Sequence, residues 1–144
     1  MNLNGTVNDF MDKRSIVLRA ATPIAEAMEI FLKNRLLAAF VVHESGAVIG
    51  VLSENDCLRV LLQQTYHHQQ PEDTVANFMR EAPMPITRGT AIGDAARLFL
   101  DSRHRLLPVV EDGKFVGQVS RRGLILAIHR YLFSPPAEMN PADA

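Results

Sequence analysis

Ser53 and Asp56 stand three residues apart, directly after an apolar stretch, Val48 to Leu52. A serine hydroxyl beside a carboxylate can serve two kinds of chemistry. The carboxylate can accept two hydrogen bonds from the cis hydroxyls of a ribose, and the serine can add a bond to sugar or phosphate. The same Ser-x-x-Asp spacing is also a helix-capping pattern, in which the acid is further favoured by the helix dipole. The two roles are compatible, because a capped helix N-terminus also attracts phosphate. A second group of interest is the basic run Arg103-His104-Arg105. An arginine fork donates two bonds at once to a phosphate, while a basic cluster at a helix C-terminus is favoured by the dipole alone.

Other reactive side chains form no constellation. Cys57 is the only cysteine, and no histidine stands at a spacing that would make it a nucleophile pair. His67-His68 lies among glutamines, with no Cys, Asp or further His at ligand spacing, so it reads as polar linker and not as a metal site. No phosphate-binding Gly-rich loop and no acid/base pair with a separate nucleophile is present, and the chain reads as a non-enzyme. Fifteen basic residues balance sixteen acidic ones, which argues against nucleic-acid binding by bulk charge. The longest apolar run, Leu36 to Val42, has seven residues and is too short to span a membrane. The opening residues show no secretory signal, and a lone cysteine suits a reducing cytoplasm.

The elements that must position these residues come from an internal duplication. Sliding the 144-residue chain by 68 matches Thr6 to Val42 with Thr74 to Val110, with 12 identities in 37 positions. After a one-residue deletion in a turn, Gly46, Gly50 and Ser53 meet Gly113, Gly117 and Ser120. Each unit reads as strand, helix, strand, strand, helix. Thr22-Pro23 opens the first long helix, with threonine as cap and proline at the first helical position. Its twin runs from Thr90. The apolar runs Leu37 to Val42 and Leu106 to Val110 predict strands covered on both faces. Strands Val48 to Leu52 and Phe115 to Val119 follow, then helices from about Glu54 to Gln64 and Arg121 to Phe133. Shorter strands are expected at Ile16 to Leu18 and Met84 to Thr87, and Thr6 and Asp73 or Thr74 are expected to cap short leading helices. The units are assigned as 1–64 and 74–133, with a polar linker at 65–73 and a loose tail at 134–144. The fold class is α/β, two repeats about a pseudo-twofold axis.

These features resemble the CBS motif, and two in tandem resemble a CBS pair, or Bateman module. The signals are Phe-Met ahead of the first strand, Thr22-Pro23-Ile24-x-x-Ala27, Arg105-Leu106-Leu107-Pro108-Val109-Val110, and above all Gly50-Val51-Leu52-Ser53-Glu54-Asn55-Asp56. The resemblance spans about Thr6 to Phe133 and leaves no residues for a catalytic domain, a channel or a DNA-binding segment, so the chain reads as a stand-alone regulatory module. It implies a regulatory adenine nucleotide, AMP, ADP or ATP, in the cleft between repeats, held by Val51, Ser53 and Asp56. The other wall would come from Thr87, Thr90, Ile92 and Ala95, then His104 and Arg105. A second cleft at Ser120, Arg121, Arg122 and Gly123 would be degenerate, because Gly123 replaces the carboxylate. Leu36 and Leu37 would fill it, and Phe40, where the other repeat has Pro108, would alter the loop nearby. The alternatives are a ligand-free interaction scaffold and a sensor of S-adenosylmethionine or metal. Apolar stripes, Leu58, Leu61 and Leu62 on one helix and Leu124, Ile125, Ile128 and Leu132 on the other, predict a homodimer that regulates a further protein.

Overall fold

The computed structural model describes residues 5–67 and 73–133. A 3-10 turn at Val7–Asp9 leads into α1 (Ile24–Asn34), the hairpin β1 (Ala38–Val42) and β2 (Val48–Ser53), and α2 (Glu54–His67). The second repeat follows the same order: α3 (Val75–Phe78), α4 (Ile92–Asp101), β3 (Leu106–Glu111), β4 (Lys114–Ser120) and α5 (Arg121–Phe133). The duplication is thus visible element by element. Both hairpins are antiparallel, and both slip register at the same place, between Val41 and Val42 and between Val109 and Val110. The expected extra strands are reduced to single parallel bridges, Leu18 with Val41 and Ile86 with Val109. The assigned 134–144 tail lies outside the described residues, and α2 runs three residues past the assigned boundary at 64.

The leading segments of the two repeats are exchanged. Arg80, in the second repeat, pairs its backbone with Val51 of β2, in two N–H to O bonds of 2.9 Å. Asp12, in the first repeat, pairs with Gln118 of β4 in the same way, at 2.7 and 3.0 Å. Buried side chains follow the backbone. Val75 and Phe78 pack in the first core with Leu18, Ile24, Phe31 and Leu52. Val7 and Met11 pack in the second core with Ile86, Ile92, Phe99 and Leu107. In space, therefore, the 1–64 and 74–133 units each surrender their opening turn to the other, which the linear boundaries do not reveal.

The helix starts differ from the threonine-capped expectation. Pro23 and Ala91 occupy the cap positions of α1 and α4, and neither offers a side-chain bond. Instead the exchanged segments supply backbone acceptors. Ile24 N–H donates to the Asp73 carbonyl at 2.9 Å and Ile92 N–H to the Gly5 carbonyl at 3.4 Å. This satisfies amides that a helix start otherwise leaves unpaired. The leading turns are capped as expected, with Asp9 Oδ2 and Asn77 Oδ1 accepting from the amides of Thr6 and Thr74 at 3.0 and 2.8 Å.

The hairpins themselves join across the pseudo-dyad. Asp112 and Gly113 both adopt positive φ, 52° and 77°, and form the two-residue turn of β3–β4. Phe115 N–H then donates to the Gly46 carbonyl at 2.8 Å. Phe40, fully buried, sets its ring 5.9 Å from that of Phe115. Phe40, where the other repeat has Pro108, thus packs between the repeats.

The close backbone approach explains two of the matched glycines. A Cβ at Gly117 would lie 2.5 Å from Met11 Cε and 2.7 Å from the Asp12 carbonyl oxygen. At Gly50 the nearest atoms are Met79 Sδ at 2.8 Å and the Arg80 carbonyl oxygen at 3.0 Å. Gly117→Ala is expected to cost about 2 kcal/mol, the range of an overpacked site. Gly50→Ala is expected to cost less, because its facing backbone oxygen lies at 3.0 Å and not at 2.7 Å. Urea unfolding of both variants checks the order.

Candidate functional site

The β2-to-α2 turn places Ser53 as helix cap and Asp56 in the first turn. Ser53 donates to Asp56 Oδ2 from both its amide and its hydroxyl, each at 2.8 Å, and Asp56 N–H returns a longer bond of 3.4 Å to Ser53 Oγ. The capping role is therefore real. Asp56 is also the one charged residue that is buried among the described residues, at 1% exposure. Burial of a carboxylate demands compensating partners. Arg59 Nη1 and Arg80 Nε supply them at Oδ1, at 2.6 and 2.8 Å. Arg59 stands one turn along the same helix. Arg80 reaches in from the exchanged segment.

A cleft of about 510 Å³ opens beside this carboxylate. That volume lies in the range of small-molecule sites. One wall carries Val51, Ser53, Glu54, Asn55 and Asp56, with Leu37 and Ala38 behind them. The facing wall carries Arg103, His104, Arg105 and Leu106, and Arg80, Glu81 and Pro83 close one side. The basic wall owes its position to a difference between the repeats. After α1, Arg35 turns left-handed at φ 53° and the chain enters β1 three residues later. After α4 the chain stays extended at Ser102, and the connection to β3 runs from Ser102 to Arg105. Arg121 pins that connection, its amide donating to the Arg105 carbonyl at 3.1 Å and its Nε to the His104 carbonyl at 3.2 Å.

The structure thus gathers Val51, Ser53, Asp56, His104 and Arg105 around one cleft. It does not bring Thr87, Thr90, Ile92 or Ala95 there. Ile92 and Ala95 are buried in the second core, at 1% and 0% exposure. They face inward because the apolar stripe of α4 is its packing face. Thr87 and Thr90 form a turn, with Thr87 N–H donating to Thr90 Oγ1 at 3.1 Å, and Thr90's carbonyl accepts from Val7 N–H. The exchanged first segment covers that surface. Leu36 and Leu37 both line a separate apolar groove of about 680 Å³ between α1 and α2, and Leu37 lines the first cleft as well.

Around Ser120 the helix start keeps only half of the capping pattern. Gly123 N–H donates to Ser120 Oγ at 2.8 Å, and no carboxylate answers it. Arg121 and Arg122 are exposed in the first turn of α5. None of these four residues lines the cleft.

Arg80, Glu81 and Pro83 are cleft-lining residues that the sequence did not single out. Arg80 follows Phe78-Met79, so the repeat match locates it, but nothing in the match shows that this segment crosses to the other unit. Cys57 lies just behind Asp56. Burial, followed by the charges of Asp56 and Glu54, pushes its thiol above the ordinary value. A raised thiol pKa opposes the thiolate that nucleophilic chemistry needs. No group of three or more His, Cys, Asp or Glu able to hold a metal ion occurs among the described residues.

The CBS domain matches this chain twice, over residues 7–63 and 75–130. The chain belongs to the CBS-domain family. As a CBS pair it is a regulatory domain, not a catalytic one. It is 28% identical to the chloroplastic CBS domain-containing protein CBSX1 of Arabidopsis thaliana, over 85% of this chain and 63% of the relative. It is 31% identical to the 5′-AMP-activated protein kinase subunit gamma-3 of Homo sapiens, over 86% of this chain and 25% of the relative. Both relatives are thus longer than the shared region. The structure of CBSX2 in complex with AMP, 30% identical, superposes with a TM-score of 0.77 and covers 88% of this chain and 98% of that one. No helix among the described residues is long and apolar enough to cross a membrane.

Asp56 has a structural role that can be measured without any ligand. Asp56→Ala removes the carboxylate that accepts the Ser53 amide and hydroxyl, and leaves that amide unanswered. It is expected to lower the unfolding free energy by about 2 kcal/mol. Arg59→Ala and Arg80→Ala each remove one half-exposed partner and leave the other arginine on Oδ1, so each is expected to cost less than Asp56→Ala. Urea denaturation without nucleotide distinguishes the two cases.

Proposed function

We propose that this CBS pair is a regulatory module that binds an adenine nucleotide in the cleft beside Asp56 and passes the signal to a partner protein. One observation carries the reading. A capped helix start with a buried ribose-competent carboxylate, Ser53 and Asp56, faces a basic wall of Arg103, His104 and Arg105 across one cleft. An acceptor on one wall and basic groups on the other suit a ligand with a diol at one end and phosphate at the other. The arginine forks of the basic wall favour that phosphate. The AMP complex of CBSX2 supports the choice of nucleotide. In this reading Val51, Ser53, Asp56, His104 and Arg105 contact the ligand, Arg80 and Arg103 join them, and each chain holds one competent cleft. The free cysteine accords with a reducing compartment, the cytoplasm in our reading, although CBSX1 is chloroplastic.

A thermal-shift panel with AMP, ADP, ATP, S-adenosylmethionine and NAD tests the proposal. A ligand at 100 times its dissociation constant adds about 2.7 kcal/mol to stability. AMP or a sister nucleotide is expected to raise the melting temperature. Asp56→Asn is expected to lose that increment relative to its own unliganded melt. Flat curves for every adenine compound would overturn the reading in favour of a ligand-free scaffold.

The helix surfaces support self-association in the same module. Leu58, Leu61 and Leu62 on α2 are 58–68% exposed, as are Ile125, Leu126 and Phe133 on α5 at 63–67%; of the α5 stripe read from the sequence, Leu124 is instead buried in the second core and Ile128 packs against it. Apolar surface on this scale marks an interface. We propose an isologous homodimer through these helices. Sedimentation equilibrium is expected to give twice the 16.0 kDa chain mass. Leu58→Glu with Ile125→Glu is expected to give monomer. A wild-type monomer at micromolar concentration would remove the dimer from the proposal.

A further inference from the structure

The carboxylate that the nucleotide reading assigns to ribose is already full. Asp56 Oδ2 accepts the amide and hydroxyl of Ser53, and Oδ1 accepts Arg59 and Arg80. A carboxylate offers about four lone-pair sites, so an incoming diol meets no free acceptor. One donor has to leave.

The four donors are not equally replaceable. Ser53 caps the helix that carries Asp56, and its two bonds span three residues. Arg59 lies one turn along the same helix and does not line the cleft. Arg80 is 24 residues distant in sequence, comes from the other repeat, and touches Asp56 through Nε alone. Its side chain is 57% exposed and it lines the cleft. Arg80 is therefore the donor that can swing away without unfolding the helix start. Its backbone remains fixed by the two bonds to Val51.

A swing of that kind leaves a guanidinium without its carboxylate. The wall opposite is itself basic, with Arg103, His104 and Arg105. An anion on the ligand is then what restores the balance. Adenosine supplies the diol but nothing for the displaced arginine. A nucleoside 5′-phosphate supplies both, the diol to Asp56 and the phosphate to Arg80, and charge-assisted bonds replace the ones broken. We propose that Arg80 occupies the ribose acceptor and is exchanged for the ligand, so that it makes the site selective for nucleoside phosphates over bare nucleosides. The inference rests on the nucleotide reading above and names a specificity-determining residue within it.

The test is calorimetric titration of AMP and of adenosine into wild type, Arg80→Met and Arg80→Lys. Wild type is expected to favour AMP over adenosine by about tenfold or more, the scale of one hydrogen bond to a charged group. In Arg80→Met, AMP is expected to weaken by about tenfold while adenosine binds more tightly, because its acceptor has been vacated. Arg80→Lys keeps the charge without the Nε bond and is expected to retain part of the preference for AMP. The opposite signs for the two ligands are the signature, since a merely structural arginine would shift both alike. Equal losses for AMP and adenosine, or an unchanged ratio between them, would overturn the proposal and leave the nucleotide site standing. Wild type that binds none of AMP, ADP and ATP would overturn the site itself and the role of Arg80 with it.

Discussion

Backbone pairing across the repeats, Arg80 with Val51 and Asp12 with Gln118, is the constraint from which the other features follow. Each unit alone lacks a side of its core, since Val7 and Met11 complete one and Val75 and Phe78 the other. Units of this size bury too little surface to be secure alone, and the exchange shares the deficit between them. It also explains why both second strands carry a glycine where the foreign segment crosses. The main-chain oxygen of Asp12 or Arg80 lies where a side chain at Gly117 or Gly50 would begin. The same crossing gives α1 and α4 backbone acceptors at their first turns, so no side-chain cap is needed there.

The exchange is also what builds the cleft. A segment delivered from the second repeat lays Arg80, Glu81 and Pro83 against the helix start of the first. Asp56 then meets two physical requirements with one side chain. It closes the cap of α2 through Ser53, and it answers a guanidinium from across the repeat boundary. A buried charge that is fully paired adds little net stability over an apolar replacement, yet loss of its partners is costly. Such a group is poorly explained by stability alone. Its position at the floor of a cleft faced by arginines accounts for it better than packing does.

Much of this was legible in the residues, and the parts that were not share one cause. The repeat, the order of elements, the two hairpins and the Ser53–Asp56 helix start are local features, and local spacing encodes them. His104 and Arg105 stood out because their twins, Leu36 and Leu37, are apolar. The exchange is not local. No spacing within residues 74–81 tells that Phe78 will join the core that holds Phe31 or that Arg80 will reach Asp56. For the same reason Ile92 and Ala95 were misplaced. Their stripe on α4 reads equally as a ligand wall or a core face, and only the crossing of residues 5–11 decides for the core. Thr22 and Thr90 look like caps because threonine before a helix often is one. Here a carbonyl from the exchanged chain does that work.

The two clefts that the duplication could have made equivalent have diverged at each position that matters for charge. Asp56 corresponds to Gly123, and Arg80 corresponds to Asp12. The acid and the arginine that meet in the first cleft have no counterparts in the second, where Asp12 turns back on its own loop and accepts the Arg14 amide at 2.9 Å. The helix-to-strand connections diverged too. A left-handed turn at Arg35 shortens one, and an extended Ser102 lengthens the other so that its basic residues reach the cleft. Arg121, standing where the first repeat has Glu54, contributes to the first cleft from behind by holding the His104–Arg105 backbone. The second repeat therefore spends its own helix start on supporting its neighbour's site. In the proposed reading, an asymmetric pair of this kind would take one ligand per chain. The Asp56–Arg80 pair is also a tie between the repeats, so that in this reading occupancy of the cleft and the relation of the two halves would be coupled through one carboxylate.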